Sequence, residues 1–243
     1  MLFRSEHSVN IAMRAAEEGQ SPRAFVDAKV ALFREAEDAL AISPDRFIRT
    51  TDPDHVRSAQ EMVRRAFANG DIYVSDGEGA NSNRRVAVLD KTGKFLRQWV
   101  IDDMETVHCL TMANDGMLYV CNRLGSAIRL YDKMGALKRT IDIPWKPVTP
   151  PKDGKLKQSG GSAVAIDFSP DANQRLMFVI NQNNGQIDIV ERASGKNLGS
   201  FGRPGSFPGQ FNQAHGIAVD SKGNVYESEN RGKRVQKFRP MGS

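Results

Sequence analysis

Two histidines stand at matching distances from two tyrosines: His108 lies eleven residues before Tyr119, and His215 eleven before Tyr226. Imidazoles at equivalent places in a repeat converge if the repeats ring a common axis, and an imidazole nitrogen is a zinc ligand. A catalytic zinc needs about three protein ligands and one open position. The stretch between offers Val164 or Ala165 at the corresponding place, neither with a donor. The plain alternative is that each histidine hydrogen-bonds at the start of a strand. A second set of residues, Asp76, Asn122, Asn181 and Glu229, each closes a short run built around an aromatic residue. Such oxygens suit calcium, or they cap tight turns by bonding the backbone. The reading favours turn caps. Arg123 and Arg231 flank the same residues, where a guanidinium suits an anionic group, against the plain alternative of ordinary exposed loop arginines.

The elements that must position these side chains are short strands. Tyr73, Tyr119, Phe178 and Tyr226 recur at intervals of about 50 residues, each inside a similar run. Asp71–Asp76, Met117–Asn122, Leu176–Asn181 and Asn224–Glu229 line up. After each comes a polar turn and a second strand: Arg85–Leu89, Ile128–Tyr131, Ile187–Val190 and Arg234–Phe238. Three of these lead through a glycine turn, at Gly93, Gly135 and Gly195, into a third strand. Ahead of the last three anchors lie His108–Met112, Ala163–Asp167 and His215–Asp220. Four short antiparallel strands per period describe a propeller blade, whose faces are buried only by neighbouring blades. The expected fold is therefore an all-β propeller with four blades legible, and an insertion at Pro144–Gly160 between the second and third.

The last unit carries Gly202-Arg203-Pro204-Gly205, then His215-Gly216-Ile217-Ala218-Val219-Asp220, then Arg234-Val235-Gln236-Lys237-Phe238. It resembles the NHL repeat, a blade motif of six-bladed propellers, and the resemblance covers about 170 residues, roughly 70 to 240. Within that superfamily the layout is most similar to bacterial relatives of peptidyl-α-hydroxyglycine α-amidating lyase. The resemblance implies that His108 and His215 match two of three zinc histidines, and that Arg123 matches a substrate arginine. The place of the family's catalytic tyrosine holds Glu78, the third histidine has no counterpart, and Gly216 stands where the family has an acid.

Residues 1–69 read differently. Ser21-Pro22 is a cap and first-turn proline, and the apolar spacing predicts helices over Ala24–Leu40 and Asp54–Ala68, ending at Asn69-Gly70. This segment is expected to be divergent or to replace missing blades. The net charge is +5, but Lys and Arg are interleaved with Asp and Glu, so no stripe for nucleic acid is expected. No apolar run long enough to span a membrane exists, and Met1–His7 lacks a signal peptide's apolar core. As written the chain reads as cytoplasmic, or as secreted or periplasmic if its true start is missing. Cys109 and Cys121 are expected to be buried thiols, with a bridge left to geometry.

Two functions follow. One is a scaffold whose loop face binds a small molecule, peptide or protein, with Asp76, Glu78, Asn122, Asn181 and Glu229 as binding residues. The other is a zinc-dependent lyase or hydrolase using His108, His215 and Arg123. Unpaired blade edges also invite self-association.

Overall fold

The computed structural model describes residues 9–41, 49–68, 70–77, 83–101, 104, 106–146 and 161–241. Glu78 and most of the expected insertion lie outside the described residues. The chain divides into two compact units, Met1–Gly70 and Asp71–Ser243.

The first unit holds helices α1 (Val9–Glu17), α2 (Pro22–Ala39) and α3 (Pro53–Ala68). The Ser21 hydroxyl accepts the Ala24 backbone N–H, 3.2 Å away, and Pro22 occupies the first turn, where its missing N–H costs nothing. α1 packs on α2 through Ile11, Ala15, Phe25 and Val26. The sequence reading missed α1: nine residues form too short an apolar pattern to stand out, and its stability comes from packing on α2.

The second unit is four antiparallel sheets in chain order. The first is β1 (Ile72–Asp76), β2 (Arg85–Leu89) and β3 (Phe95–Val100). The second is β4 (Val107–Met112), β5 (Leu118–Asn122), β6 (Ala127–Tyr131) and β7 (Leu137–Asp142). The third is β8 (Ala163–Phe168), β9 (Leu176–Asn181), β10 (Gln186–Glu191) and β11 (Asn197–Phe201). The fourth is β12 (Ala214–Val219), β13 (Val225–Glu229) and β14 (Val235–Phe238). The expected four-stranded blade thus holds for the middle two sheets. Among the described residues the first lacks a strand ahead of β1, and the last lacks one beyond β14.

Three apolar layers join neighbouring sheets. Val86, Met104, Val107, Leu118 and Tyr131 fill the first, and Tyr119, Ile128, Phe168, Met177 and Val179 the second. Val164, Ile180, Ile187, Phe211 and Val225 fill the third. The innermost strands follow one another, β1 against β4, β4 against β8 and β8 against β12. This is radial stacking, in which each sheet buries a face against the next. No strand of the last sheet packs to a comparable extent on the first among the described residues.

Candidate functional site

The inner strands share a local irregularity. In β4 the register runs Val107↔Asn122 and then Leu110↔Val120, so His108 and Cys109 together oppose Cys121. In β8 it runs Ala163↔Asn181 and then Ile166↔Val179, leaving Val164 and Ala165 against Ile180. In β12 it runs Ala214↔Glu229 and then Gly216↔Ser228, leaving His215 as the extra residue. Each is a β-bulge, which bends the strand and re-aims the bulged side chain. Val164 and Ala165 therefore occupy the place in the third sheet that His108 and His215 occupy in the second and fourth.

The bulges bring the two histidines together. Their rings sit edge to face with centroids 5.2 Å apart, although the whole third sheet separates β4 from β12 in the chain. His108 Nδ1 lies 2.8 Å from the Val164 carbonyl oxygen. A carbonyl only accepts, so Nδ1 is the donor and Nε2 is the ring's remaining nitrogen. That is the arrangement found behind metal-ligating histidines. Both rings are half-buried.

Arg123, immediately after β5, joins the same three sheets. Its guanidinium donates to Gln182 Oε1 at 2.9 Å, and Gln182 Nε2 donates to the Ala214 carbonyl at 2.8 Å, one residue before His215. Gln182 is buried, and sequence reasoning missed it because nothing in the motif marks the residue after Asn181. Gly161 holds the approach from the other side. Its φ is +80°, and a Cβ there would collide with the Arg123 carbonyl, so this position takes glycine.

The residues closing the anchor strands are each hydrogen-bonded within the second unit. Asp76 accepts from Asn83 and from Arg85 Nε, both at 2.8 Å, and these two partners hold its carboxyl below the usual range. Asn122 Oδ1 accepts the Gly125 N–H at 3.1 Å. Asn181 Nδ2 donates to Asp188 at 2.9 Å and to the Pro144 carbonyl at 3.0 Å. Glu229 accepts from the Asn212 N–H at 3.0 Å, from Arg234 at 2.7 Å and from Gln236 at 2.8 Å. Of these, the Asn122 bond is a turn cap of side chain to backbone N–H, while Asn181 and Glu229 tie their strand ends to residues 37 and 17 positions away. Among the described residues no group of three or more His, Cys, Asp or Glu lies close enough to hold a metal ion.

Two further features were not anticipated. Cys109 and Cys121 are joined in a disulfide, with Cα atoms 4.9 Å apart, which corrects the expectation of free thiols. The bulge places Cys109 opposite Cys121, and cross-strand neighbours at that separation are within bridging reach. Glu227, in the middle of β13, is fully buried, and the Gln236 amide is the donor that acts on its carboxyl. Burial pushes its carboxyl up to about 8, helped by the neighbouring Glu229 charge and opposed by Arg234.

Comparison with known proteins finds two kinds of relative. A family model described as tRNA synthetases class I (M) matches residues 4–98, from the N-terminal helices into β3. A methionine–tRNA ligase from Clostridium acetobutylicum is 43% identical over 74 residues, 30% of this chain and 12% of that protein. One from Mesorhizobium japonicum is 38% identical over 91 residues, 37% of this chain and 18% of that protein. The chain thus spans less than a fifth of the length of these curated relatives. The N-terminal segment, for which sequence reading found no relative, is similar to part of a synthetase. Among solved structures, the WD40 β-propeller domain of Doa1 aligns with a TM-score of 0.52 at 13% identity. That alignment covers 72% of this chain and 48% of the other, and it shows that the fold is a β-propeller.

Proposed function

We propose that the propeller unit is a binding module, and that its recognition site lies where the three bulged inner strands converge. The observation that carries this reading is the meeting of His108 and His215 across an intervening sheet. Side chains brought together from different blades, on strands bent to aim them, are what a propeller offers a ligand. The ligand class is a small molecule, peptide or protein segment with an anionic or metal-ligating group, facing Arg123 and the two imidazoles. The NHL resemblance belongs to this reading, in which the four sheets are part of a larger ring.

A divalent transition metal fits the pair in part. Two imidazoles on one tetrahedral zinc have centroids about 5 Å apart, and the observed separation is 5.2 Å. Such an ion, when bound, supplies open positions that a ligand's donor atom completes. The described residues supply two protein nitrogens rather than three, so no catalytic step is derived. The lyase alternative rests on the same two histidines and Arg123, and it requires a further donor.

Elemental analysis of the purified protein tests the metal, with the His108→Ala plus His215→Ala double variant as control. Zinc retained by the parent and lost by the double variant supports the site. Absence of metal after zinc loading overturns the metal reading. A ligand screen by thermal shift on parent and Arg123→Ala protein tests the module itself.

A further inference from the structure

A second cavity, of about 480 Å³, opens between the second and third sheets. It lies among the β4–β5 turn, the β8–β9 loop and the β10–β11 turn, at the far end of β4 and β8 from their bulges. Its volume is in the range of small-molecule sites. Met117, Tyr119 and Leu130 give it an apolar floor.

The charged lining divides into committed and available groups. Arg192 and Asp115 form an ion pair, and Arg192 also donates to the Tyr119 hydroxyl at 2.9 Å and to the Asn173 carbonyl at 2.9 Å. Its guanidinium lies over the Tyr119 ring, 5.7 Å from the centroid. These groups form a neutral wall. Arg139 reaches from β7 to the Ala193 carbonyl at 2.6 Å and to the Ser194 carbonyl, so its charge meets no carboxylate there. The exposed Arg175 side chain makes no hydrogen bond or ion pair among the described residues. Of the acids, Glu191 accepts from the Ser194 hydroxyl, and Asp171 from the Ser169 hydroxyl and the Arg175 N–H. Two cations and two anions are thus left without a charged partner, around an apolar floor.

That complement matches a ligand carrying one positive charge, one negative charge and an apolar body. We propose that the cavity binds a free α-amino acid with an apolar side chain. Its carboxylate meets the guanidinium of Arg175, which offers paired N–H donors in fork geometry. Its ammonium meets Glu191, and its side chain covers Met117 and Leu130. This site is separate from the one proposed above and stands or falls without it.

Isothermal titration of the full chain with L-leucine and L-phenylalanine tests the proposal, beside N-acetyl-leucine and leucinamide. Saturable binding of the free amino acids is expected, with each blocked analogue weaker by about tenfold, the loss of one charge-assisted contact. Arg175→Ala weakens leucine by a similar factor and leaves leucinamide unchanged; Glu191→Gln weakens leucine and leaves N-acetyl-leucine unchanged. His108→Ala plus His215→Ala leaves all four affinities as they were. Absence of saturable binding at millimolar ligand overturns the proposal. So does equal binding of free and blocked compounds, or indifference to both cavity variants.

Discussion

His108 and His215 touch edge to face, 5.2 Å between ring centroids, from strands that belong to non-consecutive sheets. The contact has two components that substitution separates. An aromatic edge-to-face pair is worth about 1 kcal/mol beyond its burial, and a phenylalanine ring keeps it. A metal needs the nitrogen. His215→Phe is therefore expected to leave the melting temperature within a few degrees of the parent and to weaken zinc at least tenfold. Differential scanning calorimetry and zinc titration of the same preparations check both halves. A large stability loss with unchanged zinc affinity would assign His215 to the core alone.

The Cys109–Cys121 disulfide ties β4 to β5 where the bulge interrupts their ladder. The two cysteines are 12 residues apart, a short loop for which the chain-entropy model gives about 3 kcal/mol. Replacing both with serine is expected to lower the unfolding free energy by about 2–3 kcal/mol. Denaturant titration measures this. Thiol counting on the unfolded parent, with and without reductant, checks the bond itself. Because His108 precedes Cys109 and Arg123 lies two residues past Cys121, the same variant reports on how firmly the bridge holds the recognition site.

The strands were readable because aromatic anchors, glycine turns and period-two alternation repeat, and each repeat reinforced the others. His108 and His215 were readable as equivalent because they keep the same distance from their tyrosines. The bulges were not, since one extra residue in a strand has no composition of its own; it exists only against a partner's register. The disulfide depended on that same register. Glu227 escaped notice for a related reason. In Tyr226-Glu227-Ser228-Glu229 the acids alternate with Tyr226 and Ser228, a pattern that places the acids in solvent. The burial is reversed: Val225, Glu227 and Glu229 lie on the buried face. The synthetase-like segment carries ordinary helix signals, Ser21 and Pro22 among them, and such signals say helix without saying whose.

Glu229 depends on Arg234. The Glu229 side chain is fully buried and its Oε1 is 2.7 Å from Arg234 Nε, while Arg234 also donates to the Gln210 carbonyl at 2.7 Å. Removing one partner of a buried pair leaves an uncompensated charge, at a cost of about 3–5 kcal/mol. Arg234→Met keeps the aliphatic stem and removes the cation, together with its bonds to the Ser206, Phe207 and Gln210 carbonyls. The expected result is a loss near the low end of the range, because Gln236 and the Asn212 N–H still donate to the carboxylate. Adding Glu229→Gln should restore most of it. Failure of the second change to rescue would show that Arg234 acts through its bonds to the Ser206, Phe207 and Gln210 carbonyls.

Glu227 makes stability depend on pH in a defined window. Its folded value, about 8, lies above its ordinary 4.5. Between those values the folded chain holds a proton that the unfolded chain has released, so raising the pH favours unfolding. The expected slope is a loss of about 1.4 kcal/mol per pH unit across that interval, flattening above pH 8, where both states are ionised, and below pH 4.5, where both are protonated. Asp76 and Asp220, held below the usual carboxylate range by their hydrogen-bond donors, act in the opposite direction, with stability lost only as the pH falls into the acid range. They leave the interval above pH 5 to Glu227. Glu227→Gln keeps the shape and removes the charge. Its profile should lack the slope that this carboxyl gives the parent, and its stability should exceed the parent's most at pH 8. Urea unfolding of both proteins at half-unit steps measures the difference, and parallel profiles would mean that Glu227 finds a donor or solvent when it ionises.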